Sequence, residues 1–339
     1  MDRLMKRGQD FLNVKYPIIC GAMTWVSDPK LVATVCNHGA FGCLAGGNTP
    51  PEILRSQIAE LRNLTDKPFA VNLITIAPAY QEHIAMLKSL EQPVPYVVFA
   101  GSIPKQQEIA EIKSTGAKTI CFASTISIAE RMIRYGADAL VLEGAEAGGH
   151  IGHVSTTVLI QQLLFQFGEQ LPIFVAGGVA TGRLAAHLFL CGAAGIQMGT
   201  RFVMTEECQA HPRFKEFFAK ANARDAMSTA QFDPRLPVVS VRVIRNHGTQ
   251  EFSKLQLELL KKVEAGEISR QEAQLELERF WVGSLRKAVI DGDIEYGSVM
   301  AGQSVGLMNK ITTVREVIEE IVLDGEAELQ RMNNFFTGN

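Results

Sequence analysis

Short apolar runs without two-residue alternation recur along the first two hundred residues of the chain. There are eight, rich in Val, Ile, Leu and Phe, at 16–20, 41–45, 69–75, 96–100, 119–123, 139–142, 173–176 and 195–198. Strands covered on both faces have this composition, and segments with helical spacing separate most of the runs. The pattern therefore predicts parallel strands joined by helices.

A Gly-Ala pair precedes several of these runs. Gly39, Gly116, Gly136 and Gly192 are each followed by alanine, and each ends a stretch with helical spacing. Glycine in the left-handed conformation commonly ends a helix just before the chain enters a strand. A unit of helix, glycine and strand repeated in this way predicts an α/β fold, a closed (β/α)8 TIM barrel. A doubly wound open sheet is the alternative.

The pattern changes after residue 202. Segments 252–262 and 271–280 are polar with apolar residues every three or four positions, which predicts a helical cap over one barrel mouth. A glycine-rich stretch at 296–307 is followed by an amphipathic segment with a Thr N-cap, predicted as the last barrel helix. We therefore expect a barrel at 1–210, a cap and substrate region at 211–295, and a return to the barrel at 296–339.

Composition narrows the class of protein. The chain has 339 residues, 47% of them apolar, and a net charge of -3 without a Lys/Arg-rich block, so nucleic acid is not an expected partner. No apolar stretch approaches the about 18 residues of a membrane span, and a cytoplasmic protein is expected. The six cysteines form no C-x-x-C pair and the histidines lack metal-ligand spacing. We therefore expect neither disulfides nor a metal.

Glycines cluster where the predicted strands end, at the side of a barrel where active sites lie. The ends of the seventh and eighth strands, 176–182 and 197–202, would present free N–H groups. The segment 176–182 runs into a helix and would also present the N-terminus of that helix. Two adjacent turns of this kind predict a phosphate site. Tight turns without a ligand are the alternative.

Three polar side chains lie at the same edge. His150 follows two glycines and could donate a proton or polarise a carbonyl, although a lone histidine is more often structural. His153 is interpreted as a bystander. Asn72 and Glu143 interrupt or end apolar runs, and buried polar groups need partners. A ligand could supply those partners, and for Asn72 the barrel backbone is the alternative.

Several of these motifs together resemble one family. They are Gly21-Ala-Met23, Asn72, Glu143-Gly-x-Glu-Ala-Gly-Gly-His150-x-Gly152, Ala176-Gly-Gly178, Gln197-x-Gly-Thr-Arg-Phe202 and Ser298-Val-Met-Ala-Gly-Gln303. They resemble the FMN-dependent barrel family of nitronate monooxygenases (2-nitropropane dioxygenases) and flavin-type enoyl-acyl-carrier-protein reductases. The resemblance implies bound FMN and makes His150 the catalytic candidate. It implies cofactor contacts from Gly21, Ala22, Met23, Asn72, Glu143, Gly148, Gly149, Gly177, Gly178, Gln197, Met198, Gly199 and Thr200.

Details within the motifs are similar to the reductase branch. Nitronate monooxygenases usually carry Gln where this chain has Glu143, and Ile151 follows the histidine as in the reductases. The resemblance then implies hydride transfer from NADH or NADPH through FMN to a trans-2-enoyl thioester in fatty acid synthesis. Oxidation of alkyl nitronates by O2 is the alternative, and a flavin- or phosphate-binding barrel without catalysis is a third.

The implied reaction also implies partners. An acyl carrier protein is expected to deliver the substrate unless the substrate is a small molecule, and a homodimer is expected. Carrier proteins are acidic, so Arg235, Arg242 and Arg245 are expected to form a basic patch at the substrate mouth. An ordinary solvated surface is the alternative for these three arginines.

Overall fold

The computed structural model describes residues 1–338 and contains a closed barrel of eight parallel strands. The strands run in chain order around the barrel, and pairing of the first with the last closes it, with Ile18 opposite Ile196. The predicted TIM barrel is thus confirmed and the open sheet is excluded. The barrel strands are β1 (Ile18–Cys20), β2 (Phe41–Ala45), β3 (Ala70–Ile74), β4 (Tyr96–Ala100), β5 (Lys118–Ala123), β6 (Ala139–Glu143), β8 (Ile173–Ala176) and β9 (Gly195–Met198).

Helices surround the barrel and fill the connections. The predicted left-handed turns are present, with φ of 82° at Gly39, 92° at Gly116, 86° at Gly136 and 97° at Gly192. The helices up to residue 203 are α1 (Asp2–Leu12), α2 (Pro29–Asn37), α3 (Pro51–Leu64), α4 (Tyr80–Lys88), α5 (Gln106–Lys113), α6 (Ile126–Arg134), α7 (Thr156–Leu159), α8 (Phe165–Phe167), α9 (Gly182–Leu190) and α10 (Thr200–Val203). A π-helical turn, Ile160–Leu164, joins α7 to α8.

The amino-terminal end of the barrel is closed by α1. Leu12 from this helix is buried in the same core cluster as Phe41, Tyr96 and Phe174 inside the barrel. The Phe41 and Tyr96 rings meet edge to face at 5.1 Å, and the Tyr96 hydroxyl donates to the Phe11 carbonyl at 2.6 Å. With this end plugged, the mouth at the carboxyl ends of the strands is the end available for a ligand.

The predicted helical cap is present over that mouth. It contains α11 (Pro212–Lys220), α12 (His247–Glu264) and α13 (Arg270–Val289), together with a small antiparallel sheet of β7 (Gly149–His150), β10 (Ala226–Ser228) and β11 (Val241–Ile244) in the order β10-β11-β7. The sequence patterns did not predict this sheet. It ties the loop after β6 to the cap.

The cap has a core of its own. Leu236, Phe252, Leu277 and Trp281 pack together there, and the Phe252 and Trp281 rings lie 4.1 Å apart. Phe214 of α11 instead joins the main core around the barrel, as do Leu285 and Val289 at the end of α13. The second core therefore covers less of the chain than the cap segment 211–295, whose proposed boundaries stay a prediction.

The chain returns to the barrel through a 3-10 turn, Gln303–Leu307, and α14 (Val314–Thr337). Thr313 begins α14 in a capping box: its hydroxyl accepts from Glu316 N at 3.1 Å while the Glu316 carboxylate accepts from Thr313 N at 2.8 Å. This helix packs against α9. Within residues 1–338, no helix combines the length and the apolar character needed to cross a membrane.

Candidate active site

A cavity of about 930 Å³ lies at the carboxyl-terminal mouth of the barrel and extends beneath α13. It brings together residues that sequence analysis selected from six separate stretches of the chain. The residues selected as catalytic or cofactor-binding that line it are Gly21, Ala22, Met23, Asn72, Glu143, Gly148, Gly149, His150, Gly177, Gly178, Gln197, Met198, Gly199 and Thr200. Which of them contact a cofactor stays a prediction.

Two neighbouring turns face this cavity with unused backbone donors. Gly177 and Gly178, with φ of 93° and 78°, follow β8, and Gly199 follows the adjacent strand β9. No acceptor among residues 1–338 takes the N–H groups of Gly178, Val179, Gly199 or Thr200. These donors form the kind of nest that binds an anion.

The N-terminus of α9 does not contribute to that nest, so this part of the prediction is wrong. Arg183 N donates to the Asp324 carboxylate at 2.7 Å, and Leu184 N donates to the Thr181 hydroxyl at 3.3 Å. A side chain at Gly182 would collide with the backbone of α14 at Ile321. Backbone donors at the start of α9 are therefore taken by the Asp324 carboxylate of α14 and the Thr181 hydroxyl, and residues 180–184 do not line the cavity.

Glycine is present around the cavity for two different reasons. A Cβ at Gly148 would lie 2.5 Å from Gly302 N, and one at Gly177 would lie 2.8 Å from the Gly144 carbonyl, so the protein's own packing requires them. Gly199 has φ of -111°, and a Cβ there would meet Met23 Sδ at an ordinary 3.4 Å. Neither conformation nor packing requires glycine at 199, whose missing Cβ leaves space in the cavity.

Two polar side chains line the cavity on the barrel side. Asn72 is buried and its Nδ2 donates to the Val98 carbonyl at 3.2 Å, so the barrel backbone satisfies part of the amide. Glu143 stands at the end of β6, and burial raises the pKa of its carboxyl group to about 8. The raised pKa favours the protonated form, which can donate a hydrogen bond as well as accept one.

Gly21 acts on the cavity through its neighbour Gln197. A Cβ at Gly21 would approach the Gln197 amide group at 3.1 Å. The glycine thus gives the Gln197 side chain room at the cavity wall.

His150 is held by the cap from two directions. Its backbone belongs to β7, paired with β11, and the next residue, Ile151, donates its N–H to the Ser240 carbonyl at 2.9 Å. Its Nε2 lies 3.1 Å from the Glu278 carboxylate on α13. His153 is exposed and does not line the cavity. Sequence analysis missed Glu278, which is one of several glutamates on a polar helix with no local signal to distinguish it.

The expected basic patch does not form as predicted. Arg242 is only 8% exposed, because its guanidinium donates to the carbonyls of Ala145 at 3.0 Å and Ala226 at 2.6 Å. Arg235 is paired with Asp233 at 2.6 Å and Glu264 at 2.7 Å. Arg242 thus joins the loop after β6 to the cap, and of the three arginines only Arg235 and Arg245 are at the surface.

The residues present fit FMN. The free donors at Gly178, Val179, Gly199 and Thr200 suit a phosphate, and the space left at Gly199 permits close approach to the backbone. Asn72 and a protonated Glu143 offer polar contacts for the edge of a flat ring. Within residues 1–338, no three His, Cys, Asp or Glu side chains converge as metal ligands.

Comparison with known proteins gives one family. A family model described as nitronate monooxygenase matches residues 6–324. A carboxyl-CoA dehydrogenase from Mycobacterium tuberculosis, named for a 5-hydroxy-7a-methyl-1-oxo-octahydro-1H-indene substrate, is 29% identical, with 95% of this chain and 96% of the relative aligned. A probable nitronate monooxygenase from Staphylococcus saprophyticus is 32% identical, with 67% of this chain and 76% of the relative aligned.

Two solved structures are similar to this chain over nearly its whole length. FabK from Thermotoga maritima superposes with a TM-score of 0.84 at 36% identity, covering 97% of this chain and 98% of that one. A nitroalkane oxidase from Streptomyces ansochromogenes shares the fold, with a TM-score of 0.79 at 24% identity and coverage of 96% and 99%. A barrel without catalysis is not supported by these relatives. The chain belongs to the nitronate monooxygenase family and is a flavin-dependent oxidoreductase.

Proposed function

We propose that the protein is an enoyl-acyl-carrier-protein reductase that uses NADH or NADPH as reductant. The observation that carries this proposal is the apolar extension of the cavity under α13. Leu275, Val282 and Leu285 of α13 line it together with Val239 before β11. Apolar walls of this kind suit an acyl chain better than a small nitronate.

The similar proteins add support. One similar structure, that of FabK from Thermotoga maritima, is 36% identical over nearly the whole chain. The relatives from Mycobacterium tuberculosis and Rhodococcus jostii are named as dehydrogenases of a carboxyl-CoA, which is a thioester. A thioester substrate for this chain is consistent with those names.

The backbone turns and the barrel wall would hold the cofactor. The N–H groups of Gly178, Val179, Gly199 and Thr200 would bind the FMN phosphate, and Asn72 and Glu143 would border the ring. FMN, when bound, supplies the chemistry that moves a hydride from the nicotinamide to the β-carbon of the enoyl thioester. The protein supplies placement and electrostatics.

His150 would act on the thioester carbonyl. A hydrogen bond from its ring to the carbonyl oxygen stabilises the negative charge that develops there during reduction. The same ring can supply the proton that the α-carbon gains and recover one from solvent.

A nitronate monooxygenase is the second candidate. The family model and the Staphylococcus relatives carry that name. His150 would then lie beside a nitronate, and the reaction would consume O2 without a nicotinamide nucleotide.

Two assays on the purified FMN-loaded protein separate the candidates. We expect crotonyl-CoA or crotonyl-carrier protein to accelerate anaerobic oxidation of NADH or NADPH, followed at the nicotinamide absorbance band. Oxygen uptake with propionate-3-nitronate, measured without nucleotide, should be slower. Absence of enoyl-dependent nucleotide oxidation with both nucleotides would overturn the proposal, and rapid nitronate oxidation would establish the second candidate.

Replacement of the histidine tests its role. His150→Ala should keep its FMN and its rate of reduction by nucleotide, because the phosphate turns do not involve the imidazole. Reoxidation by the enoyl thioester should fall about 100-fold or more, the usual loss for one positioned acid–base or oxyanion-binding group. Stopped-flow spectroscopy of the flavin measures both steps. His153→Ala on the same loop is the control, and unchanged reoxidation in His150→Ala would remove His150 from the mechanism.

A further inference from the structure

The partner of His150 comes from the cap and not from the barrel. Glu278 Oε2 lies 3.1 Å from His150 Nε2, and both side chains line the cavity while remaining partly accessible. The other charged side chains on the cavity wall within residues 1–338 are Glu143 and Arg279. Neither of them makes a hydrogen bond or ion pair with His150, and Arg279 is directed to Glu276 at 3.5 Å.

We propose that Glu278 is the positioning residue for His150, an inference that rests on the proposed reductase function. The carboxylate accepts the hydrogen bond from Nε2–H, which leaves Nδ1 as the ring nitrogen available to the substrate. With Nε2–H held by Glu278, Nδ1 can donate only in the form that carries hydrogen on both ring nitrogens. A hydrogen bond to a charged acceptor is shorter and stronger than one to a neutral acceptor. A glutamine at 278 would keep an acceptor but lose the charge.

One proton passes from His150 to the substrate and is replaced from solvent. As a hydride adds to the β-carbon of the enoyl thioester, the α-carbon gains the proton from Nδ1 of His150. The ring is left with hydrogen on Nε2, still bound to Glu278, and Nδ1 recovers a proton from solvent. In this scheme Glu278 positions the ring and is not the proton donor.

The helix face that carries Glu278 also lines the apolar extension of the cavity under α13, here called the acyl chamber. Leu275, Val282 and Leu285 stand three residues before, four after and seven after Glu278, so all four share one face of α13. An acyl chain in the chamber would therefore pack on the face that holds His150. Chain binding and histidine placement become linked through one rigid element.

A second contact holds α13 over the mouth. Trp25, in the loop after β1, donates its indole N–H to the Val282 carbonyl at 3.4 Å, and the Arg286 guanidinium lies 5.9 Å from the centre of its ring. Trp25 has φ of 68°, a left-handed conformation that is unusual for an aromatic residue. Strain of this kind persists where surrounding contacts determine the position.

A spectroscopic experiment tests the pair without any turnover. Nitrogen-15 NMR of histidine-labelled holoenzyme reports which ring nitrogens carry hydrogen, and loss of a signal in His150→Ala assigns the residue. We expect Glu278→Gln to shift the His150 ring nitrogens and Glu276→Gln, two residues away on the exposed side of α13, to leave them unchanged. Identical His150 signals in wild type and Glu278→Gln would overturn the inference.

Half-reaction kinetics provide the functional readout. Glu278→Gln should bind FMN and accept hydride from the nucleotide normally, while enoyl-driven reoxidation should fall about 10- to 100-fold, the range for a lost charge-assisted hydrogen bond. The loss should appear in kcat more than in KM, and Glu276→Gln should match wild type. Equal slowing of both half-reactions would indicate a structural role and overturn the proposal.

The proposed reductase function and the role of Glu278 can be overturned independently. A wild-type enzyme that reduces no enoyl thioester but oxidises nitronates would overturn the proposed function, and the NMR comparison would still decide whether Glu278 holds His150. An active reductase with unaltered Glu278→Gln kinetics would retain the function and reject the positioning residue.

Discussion

Individual residues of the cavity wall, two glycines and one glutamate, are constrained for different physical reasons. Gly177 is required by its positive φ and by the Gly144 carbonyl, whereas the space around Gly199 would accept a methyl group. Glu143 carries a carboxyl group that is costly to ionise where it stands. These differences give predictions that separate ligand binding from folding.

Gly199→Ala should weaken FMN binding without weakening the apoprotein. The added methyl group contacts Met23 at an ordinary distance but occupies space beside the free donors. We expect a loss of affinity of about tenfold or more, the equivalent of ~1.4 kcal/mol, in a fluorescence titration with FMN. The contrast is Gly177→Ala, which should lower the melting temperature of the apoprotein because alanine there has both a disfavoured φ and a backbone clash. Unaltered FMN affinity in Gly199→Ala would contradict this explanation of the glycine.

The carboxyl group of Glu143 should make the apoprotein less stable as the pH rises. Its folded-state pKa of about 8 lies above the ordinary 4.5, so the folded state retains a proton that the unfolded chain releases between these values. Relative to Glu143→Gln, wild type should lose melting temperature as the pH rises from about 4.5 to about 8, with no further change above that. Parallel melting curves of the two proteins across this range would contradict a buried, protonated carboxyl group.

At the level of elements, α13 serves two environments at once. Ala273, Leu277 and Trp281 pack into the core of the cap, whereas the face around Glu278 lines the cavity. The position of the face toward the cavity therefore depends on packing on the opposite side of the helix. Substitutions that loosen the cap core should therefore shift the side of α13 that lines the active site.

Leu277→Ala should loosen the cap while the barrel stays intact. Leu277 is 2% exposed, and truncation of a buried leucine costs about 2–5 kcal/mol. We expect faster hydrogen exchange in α12 and α13, unchanged exchange in the barrel strands, and retained FMN. Leu257→Ala on the solvent side of α12, where the leucine is 44% exposed, is the control. Faster exchange throughout the barrel would show that cap and barrel unfold as one unit.

At the scale of the whole molecule, the ligand site joins every part of the chain. The barrel strands supply the phosphate turns, the loop after β6 supplies His150, the cap supplies the roof, and the return segment supplies Met300, Gly302 and Ser304. A ligand that binds the folded state alone stabilises the whole fold. The apoprotein should therefore be measurably less stable than the holoenzyme.

FMN and riboflavin should stabilise the protein unequally. FMN at 100 times its Kd adds about 2.7 kcal/mol to the free energy of unfolding. Riboflavin lacks the phosphate that the free N–H groups of Gly178, Val179, Gly199 and Thr200 would bind, so at the same concentration it should raise the melting temperature less. Differential scanning fluorimetry of apoprotein with each compound measures this. Equal shifts would show that the two turns bind no phosphate.

Much of the architecture was predictable from local sequence. Each barrel strand is a short and mostly apolar run, because a parallel strand buried on both faces offers few partners to a polar side chain. Asn72 within β3 is an exception, and its amide donates to the Val98 carbonyl. Gly39, Gly116, Gly136 and Gly192 mark helix ends because few other residues adopt the left-handed conformation. The fold class follows from these local requirements, whereas the set of cofactor contacts was implied by the family resemblance.

The sequence by itself determined where the strands and helix ends lie and which motif residues follow the strands, because each depends on near neighbours in the chain. Only the tertiary structure decided what those residues face. The Asp324 carboxylate accepts from Arg183 N at the start of α9, across 141 residues of chain. Arg242 is buried against the Ala145 carbonyl, 97 residues away, and against the Ala226 carbonyl within the cap. Glu278 reaches His150 across 128 residues of chain. Pairings of this kind depend on the packing of whole elements, and no local spacing encodes them.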